Sequence, residues 1–214
     1  VVSKKGVFVK CIFCPRRAPC YCPEVSRSLP LPTALVIGPK NLKIMNPAHL
    51  VEKAKTSAFY LWVLNWSLDR MIPFNRPHGF RIVEIGDLHV RTKLPYRTKN
   101  LNHLKGLHAC ALATITEITG GFIFVTQLDP HRYRIILKKL EVDYLYQGKT
   151  DAFGEFRITQ NWMNEQVIEP LQTVEAVEVV SEVNLFDAAG NQLTAGRATW
   201  QIKDWQKVKT KLDK

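Results

Sequence analysis

The stretch Asn102–Glu117, NHLKGLHACALATITE, decides how the rest of the chain is read. It is a short polar loop running into an apolar helix that continues to about Thr126. Leu107, Leu112, Ile115, Ile118, Phe122 and Ile123 make that helix apolar nearly all round, which predicts burial rather than a surface position. Ala109, Cys110, Ala111, Ala113, Gly120 and Gly121 keep its sides thin, so other backbone can approach closely. Glu117 is the single charge in this helix.

The segments around it read mostly as strands. Downstream, Tyr133–Tyr146, Ala152–Gln160, Val174–Phe186 and Gln192–Lys203 have the alternating or β-branched character of strands, and DAAGN with Gly190 joins the last two as a hairpin. WMNEQVIEPL, between them, is an insertion with helical character before Pro170. In Tyr133–Tyr146 the apolar phase shifts from odd to even positions across Lys138-Lys139, which predicts a β-bulge there. Upstream, Phe80–Ile85 and Leu88–Leu94 flank Gly86-Asp87. In the second of these, Leu88, Val90, Thr92 and Leu94 share one face, and His89, Arg91 and Lys93 the wet one.

Further upstream, Asn46-Pro47 is a helix start, with a capping side chain followed by a proline in the first turn. One helix over 47–71 is expected, apolar at Leu50, Ala54, Leu61, Leu64 and Leu68, with an aromatic belt of Phe59, Tyr60, Trp62 and Trp66. That belt suits packing on a sheet or a second subunit better than a membrane interface. A buried helix followed by long antiparallel strands makes the fold class α+β: an antiparallel β-sheet wrapped around a central helix, with an additional N-terminal helix. At 214 residues the chain can bury one substantial core. Residues 45–214 are expected to form a single domain with its core at 80–203.

The formal charge of +11 is unevenly spread. Residues 1–44 hold eight Lys/Arg against Glu24, while the remainder mixes both signs at a net +4. Nucleic-acid binding needs clustered bases, so no nucleic-acid partner is expected. The longest apolar run, AFYLWVL at 58–64, is too short to span a bilayer, so no membrane span and a cytoplasmic location are expected.

Residues 1–44 also hold Cys11, Cys14, Cys20 and Cys22 and six of the twelve prolines. They are read as a disordered or non-native N-terminal extension, with Met45 a candidate initiator. Zinc held by the four cysteines and a targeting peptide are the alternatives. The single residue between Cys20 and Cys22 is tight for a tetrahedral site, and the segment lacks an apolar or amphipathic targeting helix. No metal site is expected.

Asn102, His108 and Glu117, with the closing strand GNQLTAGRATWQI, resemble the hotdog-fold thioesterase superfamily, in particular its phenylacetate-pathway-like acyl-CoA thioesterase branch. Those enzymes carry an Asn, a His-Gly beginning six residues later, and an acid nine beyond the His. The resemblance covers about residues 80–203. With PFNRPHGFRI (73–82) it looks closest to an uncharacterised bacterial subgroup. It implies a hotdog fold, an acyl-thioester substrate and a homodimer or dimer of dimers. Two positions depart from the pattern. Ala109 replaces the family's Gly, and Lys139, at the phase shift, stands where a Ser or Thr often assists.

The resemblance implies a division of labour. The Ala109 amide in the first helical turn would bind the developing oxyanion, with Lys139 alongside. His108 would orient the thioester, with His103 as the alternative histidine, and Asn102 would position water or the carbonyl. Glu117 would act as general base, or as nucleophile through an anhydride. Arg97 and Lys99 would hold the phosphates of coenzyme A, which enters as part of the substrate; no separate cofactor is expected.

Helix geometry constrains this scheme. Nine residues advance ~13.5 Å and turn Glu117 about 180° from His108, so one helix cannot place both on one carbonyl. Two helices in a symmetric dimer can. On the resemblance, the leading expectation is an acyl-CoA thioesterase-like hydrolase. The alternative is a non-catalytic binder of acyl-CoA or acyl-carrier protein. A hydratase or dehydratase of the same fold is less apt, because its proline- and glycine-rich helix entry is absent.

Overall fold

A computed structural model describes residues 47–207. The expectations for residues 1–44, and Asn46 as a helix cap, lie outside the described residues. Two helices open this part of the chain, α1 (Pro47–Ala54) and α2 (Ala58–Met71), where the apolar pattern anticipates one. The break falls at Thr56-Ser57, where Ser57 is extended (φ −134°, ψ 118°) and caps α2 without a side-chain hydrogen bond. Lys55, just before the break, pairs with Glu52 at 2.5 Å and with Asp87 at 2.6 Å. The two helices then bury Leu50, Ala54 and Leu64 separately. The aromatic belt divides: Tyr60 packs on the core, whereas Phe59, Trp62 and Trp66 face outward.

Six strands form one antiparallel sheet. They are β1 (Arg81–Ile85), β2 (His89–Leu94), β3 (Tyr133–Tyr144), β4 (Ala152–Arg157), β5 (Ala176–Asp187) and β6 (Gln192–Asp204), ordered β1-β2-β4-β5-β6-β3. The central helix α3 (Ala109–Gln127) packs against β2 through β6. Alternation sets the inward face: Val177, Val179, Ser181, Val183 and Leu185 of β5 are all buried. The hairpin β5–β6 turns through Gly190 at φ 87°, and the segment between β4 and β5 is helical as anticipated, α4 (Gln160–Met163), a π turn (Asn164–Ile168) and α5 (Pro170–Thr173). The β3–β6 register slips between Leu137 and Lys139, the expected bulge. His89, expected on the wet face of β2, is buried with Nε2 2.9 Å from Glu155.

The small residues of α3 let it lie on the sheet. A Cβ on Gly120 would come within 2.2 Å of Ser181 Oγ, and one on Gly121 within 2.4 Å of the Trp200 ring. Trp200 is held by its indole N–H, which donates to Ser181 Oγ at 3.0 Å. At 19 residues α3 is long and apolar enough to cross a membrane by length and composition alone, but half of it is buried inside the fold. The sheet wraps it. The wrapping leaves one stripe incompletely covered, with Cys110 and Val125 exposed and Thr114 and Glu117 half-buried, so the helix is not buried on every face.

Candidate active site

The loop before α3 is built by backbone turns. Asn102 N–H donates to the Gly106 carbonyl at 2.9 Å, and Lys105 takes a left-handed φ of 58°. The side-chain oxygen of Asn102 accepts from the amides of Leu104 (2.9 Å) and Gly106 (3.1 Å), so that oxygen organises the loop. The fully buried asparagine is Asn100. Its amide donates to the carbonyls of His78 and Pro95, its Oδ1 lies 3.0 Å from His78 Nδ1, and its carbonyl accepts the His108 N–H at 2.8 Å. Asn100 had no motif to mark it.

His108 is the N-cap of α3. Its Nδ1 accepts from the Cys110 N–H at 3.1 Å, which places the proton of the neutral ring on Nε2, turned toward an exposed surface. Ala109 follows at the first helical position, where its N–H has no partner within the helix. The Ala109 carbonyl accepts from the Tyr144 hydroxyl at 3.1 Å, tying the start of α3 to the end of β3.

The Arg97-Thr98-Lys99 turn is linked to this helix end through Asn100. Arg97 and Lys99 line a cleft of about 530 Å³ with Arg76 and Pro77. Arg97 Nη2 donates to the Pro77 carbonyl at 2.7 Å and lies over Gly79, whose φ of 65° suits glycine. Three cations thus gather around one cleft, an arrangement that can take phosphate groups. Arg76 was not singled out in the sequence, because its neighbourhood to Arg97 is purely tertiary.

Glu117 stands apart from this cluster. Eight residues beyond Ala109, it is ~12 Å along the helix axis. It lines a second cavity of about 330 Å³ between α2 and α3, walled mainly by apolar side chains including Leu68, Ile118, Phe122 and Trp200. Burial raises its carboxyl pKa above the ordinary 4.5. None of the described residues gives it a hydrogen bond or ion pair. Lys139 is on the edge strand at the bulge, paired with Glu141 at 2.8 Å. Five residues of strand separate it from Tyr144, ~17 Å, so within one chain it is not beside Ala109. One chain therefore gathers Arg97, Lys99, Asn102, His108 and Ala109 at one end of α3 and leaves Glu117 and Lys139 elsewhere. Among the described residues no group of three or more His, Cys, Asp or Glu side chains is placed to hold a metal ion.

Residues 61–202 match the family model described as "Domain of unknown function (DUF4442)". No curated protein matches the chain. Among solved structures, a Pseudomonas aeruginosa protein of unknown function, described as a probable thioesterase, is 26% identical, with a TM-score of 0.61 over 67% of this chain and 95% of its own. A Haemophilus influenzae thioesterase is 11% identical, with a TM-score of 0.53 over 71% of this chain and 95% of its own. A Chlorobaculum tepidum protein of unknown function is 10% identical, with a TM-score of 0.58 over 73% and 96%. At such low identity the last two speak to the fold alone. The chain belongs to the DUF4442 family, and its six-stranded sheet around α3 is the hotdog fold of the thioesterase superfamily.

Proposed function

We propose that this protein hydrolyses acyl thioesters of coenzyme A or acyl-carrier protein, as a homodimer with two shared sites. The observation that carries the reading is Glu117. A half-buried carboxylate with raised pKa and no partner among the described residues is costly for stability, and such groups cluster where acid–base chemistry is done. The 26% identical relative described as a probable thioesterase supports the same class.

The chemistry needs two chains. Ala109 N–H and the N-terminus of α3 from one subunit receive the thioester oxygen. Glu117 of the other takes a proton from water. The water oxygen bonds to the carbonyl carbon, and the negative charge that develops on the former carbonyl oxygen is stabilised by the Ala109 amide. The carbon–sulfur bond then breaks, and the leaving thiolate takes the proton from Glu117. His108 Nε2–H is available to orient the substrate, and Asn102 holds the loop that positions both. Arg76, Arg97 and Lys99 bind the coenzyme A phosphates.

The test is thiol release from a panel of acyl-CoAs by the parent chain, Glu117→Ala and Ala109→Pro. Proline is tolerated at a first helical position, and His108 before it is already extended (φ −72°, ψ 137°), so the second variant removes the N–H and keeps the helix. Each is expected to lower kcat by about 10²-fold or more, with unchanged thermal stability for Ala109→Pro. Equal rates in all three would exclude the mechanism. A second reading, a non-catalytic acyl-thioester binder, is favoured by Lys139, whose ion pair with Glu141 occupies it at the position where the family often has a hydroxyl. Saturable acyl-CoA binding with no turnover in the parent chain would select it.

A further inference from the structure

We propose that the cavity between α2 and α3 is the acyl-chain site and that it takes an apolar fatty acyl chain, with α2 setting the chain length. The inference rests on the thioester reading for the position of the carbonyl, and on the cavity itself for the chain. At about 330 Å³ the cavity is within the range of small-ligand sites. Leu68 of α2 and Ile72 just past its end form one wall, Ile118 and Phe122 of α3 the other, and the Trp200 ring adds to the apolar lining.

The polar groups on the cavity lining explain why the occupant is apolar. Asp69 and Arg81 are paired with each other at 3.0 Å. The Asn65 amide is spent on backbone: its nitrogen donates to the carbonyls of Leu61 and Ile82, and its oxygen accepts the Ile82 N–H. The Thr114 hydroxyl donates to the Cys110 carbonyl at 2.8 Å. Glu117 remains as the lining carboxylate without a partner among the described residues. Most of the lining is apolar, so a polar substituent set against Leu68, Ile118, Phe122 or Trp200 would go unmatched there, at a cost that an alkyl chain avoids. An acyl chain lying in the cavity has its polar end where the reacting carbonyl is wanted, beside Glu117.

The cavity wall on the α2 side is made outside the sheet. Leu68 is partly buried and packs against the core from α2, so a change there alters the cavity volume while removing no fully buried side chain. The intact chain, Leu68→Trp and Leu68→Ala are compared with butyryl-, octanoyl-, dodecanoyl- and hexadecanoyl-CoA for thiol release. Dissociation constants are measured in parallel for alkyl-thioether analogues of the same lengths, which cannot be hydrolysed. In the parent chain affinity is expected to rise about fourfold per methylene until the cavity is full. Leu68→Trp should move that limit to shorter chains and cut the dodecanoyl-to-butyryl affinity ratio by about tenfold or more, while Leu68→Ala moves the limit to longer ones.

Affinity independent of chain length, or a limit that stays put in both variants, overturns the inference. A mere folding defect in Leu68→Trp lowers all lengths alike, and the opposite shift expected of Leu68→Ala still decides the matter. The two proposals fail separately. Length-dependent thioether binding that responds to residue 68, without thiol release, keeps the chain site and removes the hydrolase. Thiol release with a length profile indifferent to residue 68 keeps the hydrolase and removes the chain site.

Discussion

Glu117 concentrates the conflict between stability and chemistry in one residue. Burial raises its pKa above 4.5, so the folded chain holds a proton that the unfolded chain has released at the same pH. For a carboxyl shifted in this direction, the contribution to stability is present below the unfolded pKa and is lost as pH rises through the folded one. Glu117→Gln should therefore melt higher than the parent above that window and by a smaller margin at pH below 4.5, a comparison that paired thermal melts make directly. In the proposed mechanism Glu117 works ionised as the base, so the acid limb of kcat/KM should lie above the ordinary 4.5. An acid limb at or below that value would place the titrating base elsewhere. The charge itself was visible in the sequence as a single acid in an apolar helix. Its lack of a partner was not, because that depends on which residues of other elements fail to reach it.

At the scale of elements, the central helix, all six strands and the bulge at Lys138-Lys139 follow from periodicity and small-residue placement. What periodicity missed is how the outer elements dock. Asn65 is buried on α2, and its side chain bonds both the N–H (2.8 Å) and the carbonyl (2.9 Å) of Ile82, replacing a strand partner along the outer edge of β1. In sequence it is an asparagine in an aromatic helix, with nothing to say that a strand edge awaits it. Asn65→Leu leaves a buried amide and a buried carbonyl unpaired, and is expected to cost about 2–4 kcal/mol in denaturant unfolding. A loss within error of zero would mean that water satisfies the edge equally well. The break at Thr56-Ser57 escaped for a related reason. The apolar positions on either side keep helical spacing, and the Lys55–Asp87 pair that anchors the corner joins residues far apart in the chain.

For the whole molecule, β3 is the feature that calls for a second copy. It is a twelve-residue strand at the end of the sheet, bonded to β6 on one side only. Long open edges invite pairing, and Ile136 at 40% exposure and Tyr144 at 51% add apolar surface there. The proposed chemistry requires a dimer in which Glu117 of one subunit lies near Ala109 of the other. Mixing Ala109→Pro with Glu117→Ala, each inactive alone, should then restore about a quarter of parental activity, because half of randomly paired dimers carry one intact site. No recovery after subunit exchange, verified by mass, would confine each site to a single chain. The sequence by itself determined the α+β architecture, the wrapped helix and the residues offered for chemistry, since these depend on local periodicity and on motifs confined to short stretches. Only the tertiary structure decided that Arg76 joins Arg97 and Lys99, that α2 closes a cavity over Glu117, and that Asn102 serves its loop while Asn100 is buried. Those outcomes depend on packing between segments distant in the chain, and no spacing within Asn102–Glu117 encodes which side chains other elements bring to it.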